Sequence, residues 1–247
     1  MIKQRLKKGE QRKINWDNLV KDLLENCEHY HSQFYTNKKF SGPSHHFHLR
    51  ALTAIDKEKA EMTYAMLVSW GMHRMGGGAQ MNDYKIFEES IFSTLQEIES
   101  LKEKKLSEIS KEDMQQLEQI FDNLNPMRSS KKIVAVSKVL AHYLPDIIAP
   151  IDNEYTFQFI CEKPRQTNFP LNWTEFELFK EIHIKLFKPV VSDGKFISSA
   201  KNWLNDSQFH WDTSLPKIVD NLIVGKIGHL KRTDDNYKRK KPISILE

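Results

Sequence analysis

Apolar residues recur three and four positions apart along most of this chain, and no alternating run is long enough to anchor a sheet. Glycine and proline are sparse, nine of each in 247 residues, which disfavours the closely spaced turns of a β-sandwich. A mainly α fold is therefore expected. Ile14, Trp16, Leu19, Val20, Leu23, Leu24 and Cys27 mark a helix over 14–36, and Ala60 to Met72 mark an amphipathic one over 57–75. Further helices are predicted at 84–104, at 111–124, up to Leu144, at about 173–187, at 195–204 and at about 215–227. The breaks between them fall at Ser41-Gly42-Pro43-Ser44, Gly76 to Gly78, Asn125-Pro126, the Pro-rich 163–170 and Ser192-Asp193-Gly194. Ser110, with Asp113 three residues on, has the form of a helix N-cap.

The bulk numbers narrow the function classes. At 39% hydrophobic residues the chain can bury a sizeable core. No run approaches the roughly 18 apolar residues needed to span a bilayer, and the first residues are too polar for a signal peptide. Cys27 and Cys161 are the only cysteines, which rules out a disulfide framework, a four-cysteine metal site and an iron–sulfur cluster. A soluble, cytoplasmic monomer is the expectation. Residues 1–13 carry +5 and residues 231–241 carry +4, so the net +4 leaves about −5 for the body between them. Basic ends on a mildly acidic body suit a polyanion, since lysine and arginine near phosphate release counterions. Solvated termini are the plain alternative.

Several candidate site residues stand out. His45, His46 and His48, with His29 and His31 upstream, form a histidine-rich neighbourhood. No HExxH, CxxC or carboxylate set accompanies them, so no metal or other cofactor is assigned. A loop using His48 or Arg50 for phosphate or base contact is preferred. Gly76 to Gly78 follow a helix rather than a strand, which argues against a nucleotide-phosphate loop. Trp70, His73 and Arg74, at the end of that helix, are placed to face a substrate. Ser129, Ser130 or Ser137 could each cap the helix that ends near Leu144.

The central stretch, SSKKIVAVSKVLAHYLPDIIAPIDNEYT (129–156), combines a basic, hydroxyl-rich turn, an apolar helix, a proline stop and Asp152 before another helix. SKVLAHYLPDIIAPID resembles the K-[TV]-A…P…P-V-D signature of the helix-hairpin-helix DNA glycosylases, and APIDNEYT resembles P-V-D-T-H-V. The resemblance covers about residues 60–160. It implies a two-lobed helical bundle with a helix-hairpin-helix-like element and a cleft between the lobes. On this reading residues 57–160 are the core, 1–56 pack on it, 161–230 complete the second lobe and 231–247 are a basic tail. The glycine-rich family hairpin is replaced by IVAVSK or NPMRSS, and Lys138 lies closer to Asp152 than the family's lysine.

The resemblance implies excision of a flipped base from double-stranded DNA, with Asp152 stabilising a cationic sugar and Lys138 beside it. Trp70, His73, Arg74 and His48 are the candidate pocket or wedge. Ser129, Ser130, Lys131, Lys132 and Ser137 are the candidate phosphate contacts. Damaged host DNA and modified phage DNA are both conceivable substrates. A non-catalytic DNA-binding module of the same fold is one alternative. Another is a metal-dependent nuclease, because Pro145-Asp146 and Asp193-Gly194-Lys195 formally match PD…(D/E)xK, a motif whose carboxylates need adjacent strands.

Overall fold

A computed structural model describes residues 14–36, 43–74, 80–162, 173–234 and 237. The basic stretch 1–13, Gly76 to Gly78, the loop 163–170 and most of the tail lie outside the described residues. Every regular element among the described residues is helical, as the periodicity predicts. In order they are α1 (Trp16–Glu25), α2 (Cys27–Tyr35), α3 (Pro43–Thr53), α4 (Asp56–Ser69), α5 (Tyr84–Phe92), α6 (Leu95–Leu101) and α7 (Lys111–Asn123). There follow α8 (Ile133–Tyr143), α9 (Thr156–Cys161), α10 (Glu175–Ile182), α11 (Lys188–Val191), α12 (Gly194–Leu204) and α13 (Leu215–Thr233). A π-helical turn, His183–Phe187, joins α10 to α11. No described helix is long and apolar enough to cross a membrane.

Local chemistry sets the boundaries. Ser110 and Asp113 close the expected capping box on α7, each side chain taking the other's backbone N–H. Thr174 and Glu177 do the same for α10. The 14–36 pattern divides at Asn26, whose amide bends back to the Asp22 carbonyl at 3.0 Å and splits it into α1 and α2. The 84–104 window likewise divides at Thr94, whose hydroxyl donates to the carbonyls of Ser90 and Ile91. The histidine-rich segment expected as a loop is helix α3, which packs along α4.

Two helices lie at the centre. Every residue of α8 is buried, and α13 is buried almost continuously from Pro216 to Gly228. Helix α2 packs closely on α13, which also touches α1, α9, α11 and α12; α8 is covered by α3, α4 and α10. Most of the buried apolar residues form one cluster from Leu19 to Ile227, and Phe34, Trp211 and Val224 form a second, smaller one. Phe87, Phe121, Phe159, Phe179, Phe187 and Phe196 are fully buried in the larger, each contributing about 1.5–3 kcal/mol of transfer free energy.

The turn between α7 and α8 is tied down rather than open. Arg128 N–H donates to the Gln80 carbonyl at 2.8 Å and Asn82 N–H to the Pro126 carbonyl at 3.0 Å. The Asn82 amide also donates to the carbonyls of Asn125 and Met127. None of the three serines proposed as a cap for α8 plays that part. The Glu175 carboxylate accepts the Lys132 N–H at 2.6 Å instead.

Candidate active site

Helix α8 is wholly buried yet carries one lysine, and a buried ammonium needs a partner. Lys138 Nζ lies 3.2 Å from Asp152 Oδ2, across 14 residues of chain. It also sits 5.3 Å from the centroid of the Trp70 ring, within cation–π range. Lys138 is 7% exposed and Asp152 30%, so the pair opens to solvent on the aspartate side.

After a turn at 145–147, closed by the N–H groups of Ile147 and Ile148 on the Leu144 carbonyl, the passage to Asp152 is fastened at several residues. Ala149 N–H donates to His183 Nε2 at 3.2 Å, and Ile151 N–H to Ser137 Oγ at 2.9 Å. Asp152 N–H donates to Thr156 Oγ1 at 3.1 Å, while Asp152 Oδ1 accepts Glu154 N–H at 2.6 Å. Asp152 thus caps the turn before α9 rather than the helix itself, whose first residue is Thr156. Burial raises its carboxyl pKa. The Lys138 charge and the Glu154 N–H outweigh burial and hold it below the ordinary carboxylate value. Of the two, the lysine charge is the larger.

Asp152 and Lys138 line a cavity of about 450 Å³, together with Trp70, Tyr155 and Trp211. That volume lies within the roughly 300–1,000 Å³ of small-molecule sites. Helix α13 supplies a second charged pair to the same cavity, Lys217 and Asp220, at 2.7 Å. Lys217 also donates to Asn221 Oδ1 and lies 5.7 Å from the ring centroids of Phe34 and Trp211. Behind it Asn221 donates to Asp212 at 2.7 Å, and Asp212 meets His31 Nε2 at 2.6 Å.

Of the proposed pocket residues, Trp70 lines the cavity. His48 is buried behind it, its ring stacked 5.8 Å from Trp70 and 5.2 Å from Trp211. His142 Nδ1–H donates to the Lys138 carbonyl at 2.7 Å, so its Nε2 accepts from His48 Nδ1–H at 2.8 Å. His48 Nε2 then has no partner among the described residues. His48 therefore supports the aromatic wall and makes no surface contact. His73 is exposed on the turn after α4, and the Arg74 side chain lies outside the described residues.

The proposed phosphate contacts divide. Ser130 and Lys131 are exposed, and Ser129 is half-buried, its hydroxyl accepting Lys131 N–H at 3.0 Å. Lys132 is turned inward: its ammonium caps the end of α7 through the carbonyls of Asp122 and Leu124 at 2.7 and 3.1 Å. Ser137 is fully buried, donating to the Val134 carbonyl and accepting Ile151 N–H, which removes it from any phosphate-facing surface.

Among the described residues no group of three or more histidines, cysteines or carboxylates is arranged to hold a metal. Asp193, the second half of the nuclease-like pattern, caps α12 by accepting the N–H groups of Lys195 and Phe196, both at 2.9 Å. The strand pair that motif requires does not form among the described residues.

Lys217, Asp220 and Trp211 escaped the sequence reading. Lys217, Asp220 and Asn221 stand at helical spacing inside the apolar run LPKIVDNLIV, and that misfit between charge and surroundings was the available signal. No protein-family model, curated protein or solved structure matches this chain.

Proposed function

We propose that the protein is a monofunctional DNA glycosylase, hydrolysing the N-glycosidic bond of a damaged or modified base flipped out of double-stranded DNA. One observation carries the reading: an ion-paired aspartate at the mouth of an aromatic-walled cavity, delivered by helix α8, a proline-bearing passage and a tight turn. As the base departs, positive charge grows on the sugar. A fixed carboxylate beside it lowers the barrier electrostatically and can orient the attacking water.

Asp152 suits that task because it stays anionic at neutral pH, and its backbone is pinned on both sides. Lys138 balances the aspartate before the substrate enters, and its third N–H, beyond those on Asp152 and the Met72 sulfur, can be offered to the leaving base. Water is the nucleophile in this reading. Trp70, Tyr155 and Trp211 would stack on the extruded base, replacing part of the stacking lost from the duplex. Lys131 and the hydroxyl-rich turn around it would contact phosphate.

The test is incubation with DNAs carrying different modified bases, scored for abasic sites by alkaline cleavage, with Asp152→Asn beside the wild type. Abasic sites that fall by about 100-fold or more in the variant, with duplex affinity retained, are expected. Absence of abasic sites on every DNA, or equal activity in the variant, would overturn the reading.

A further inference from the structure

Two charged pairs face one cavity, and excision chemistry needs only one. The second, Lys217–Asp220, belongs to α13 and is held rigidly. Both residues are under 10% exposed, and Lys217 is anchored to Asn221, itself anchored to Asp212 and so to His31.

The bonding of this pair is incomplete. Lys217 gives two of its three N–H bonds, to Asp220 Oδ2 and Asn221 Oδ1. Asp220 Oδ1 accepts none among the described residues. A buried salt bridge rarely stabilises more than apolar side chains of the same volume would. One that keeps a donor and an acceptor in reserve beside a cavity is costly for folding and calls for another explanation. Lys217 also lies within reach of the faces of Phe34 and Trp211, so a flat ring entering here would meet aromatic surface and this pair together.

We infer that Lys217 and Asp220 read the hydrogen-bonding edge of the bound base, and that they select heterocycles presenting a carbonyl beside a ring N–H. Lys217 donates to the carbonyl oxygen, and Asp220 Oδ1 accepts the N–H. Bases of the uracil and hypoxanthine type carry that edge, whatever else is attached to the ring. A base lacking the N–H would leave Asp220 Oδ1 buried and unpaired, which is the strong form of discrimination because the penalty falls on the wrong ligand. The inference rests on the excision reading for its choice of a nucleobase as ligand.

The test uses the full chain and small ligands that differ by one group. 1-Methyluracil is compared with 1,3-dimethyluracil, and 9-methylhypoxanthine with 1,9-dimethylhypoxanthine, by calorimetric titration. The N–H forms are expected to bind the wild type at least tenfold more tightly. Lys217→Met/Asp220→Leu removes both charges together, so it leaves no unpaired ion, and it should lose the preference while keeping the wild-type circular dichroism. Asp220→Asn, which keeps the shape, should weaken binding of the N–H forms at least fivefold.

Equal binding within each ligand pair, no binding of either N–H form, or a preference that survives the double substitution would overturn the inference. Excision is scored separately. A preference lost in the double variant, on a protein that releases no base from any DNA, would uphold the edge-reading pair and sink the glycosylase proposal. Asp152-dependent excision without any such preference would do the reverse.

Discussion

His183 Nε2 accepts the N–H of Ala149 at 3.2 Å, three residues ahead of Asp152, while its Nδ1–H donates to the Phe179 carbonyl at 2.8 Å. The first bond needs the neutral ring, while the second is donated in either protonation state; a helical turn on one side of the core thus fixes the passage that carries the candidate catalytic group on the other. Burial pulls the His183 pKa down to about 4, against the carbonyls of Phe179 and Ala149, which favour the protonated ring. Burial does the same to His142, which holds the Lys138 carbonyl.

This arrangement has a pH signature. A histidine whose folded pKa lies below its unfolded value of about 6.5 contributes fully above that value. The contribution falls with pH and is exhausted near the folded value of about 4. Each of these two residues should cost about 3 kcal/mol of unfolding free energy across that window. Urea titrations at pH 7, 5.5 and 4.5 measure the slope. His183→Gln, whose amide can keep both bonds without titrating, should flatten it in part, the rest coming from His142 and the buried His48, whose pKa burial also lowers; an unchanged slope would refute the assignment.

Lys138 is predicted to control the ionisation of Asp152. In Lys138→Met the burial that raises the carboxyl pKa is no longer countered by an adjacent ammonium, so the value should rise from below the ordinary carboxylate range to above it. In the wild type the depressed value means that the aspartate stabilises the fold above about pH 4, and that this is lost as the pH falls further. The variant should lose that acid limb and about 3 kcal/mol at neutral pH, the lower end for a broken buried pair because Asp152 is partly exposed. Carboxyl-carbon NMR titration of labelled aspartates reads the shift, and a value that does not move would dissolve the pairing.

Ser137 and Lys131 give a contrast between positioning and phosphate contact. Ser137→Ala leaves the Ile151 N–H buried without an acceptor and should cost about 1–3 kcal/mol of stability, with no change in the salt dependence of duplex binding. Lys131→Ala should leave stability within about 0.5 kcal/mol and lower the slope of log affinity against log salt by about one. Calorimetry and binding titrations at several salt concentrations separate the two. The reverse pattern would return Ser137 to the phosphate surface.

The helical class was legible because periodicity is a local property, and so was the cap at Ser110, where both donors and both acceptors lie within four residues of sequence. Asp152 was legible because proline and a lone carboxylate interrupt an apolar stretch. The long-range pairings were not. That Lys138 points inward and Lys132 folds back on α7 follows from which face of each residue the rest of the chain covers. The α3 segment reads as a loop in the sequence because three histidines and the residues Ser-Gly-Pro-Ser obscure its apolar stripe, and tertiary packing on α4 overrides the composition. His183 gave no signal at all: a single histidine between Ile182 and Ile184 acquires a role only when Ala149 is brought against it.

The tightest constraint on the fold lies at Gly225, where α13 crosses α2. A β-carbon built there would fall 2.0 Å from the Tyr30 carbonyl oxygen and 3.0 Å from the Phe34 nitrogen, both of them backbone atoms that cannot rotate away. Gly225→Ala must therefore push the two helices apart. That disturbs the contacts of Phe34 and Tyr30 as well as the cavity wall that Phe34 forms with Lys217. Overpacking of this kind costs about 1–3 kcal/mol where side chains can adjust, and a backbone clash should reach at least the upper end. Gly194 is the control: it opens α12 with nothing within 4 Å of the added carbon, so Gly194→Ala should be neutral or stabilise by about 0.4–1 kcal/mol through the unfolded chain. Thermal unfolding of the two variants side by side decides the matter, and equal midpoints would mean that the α2–α13 crossing is looser than these distances require.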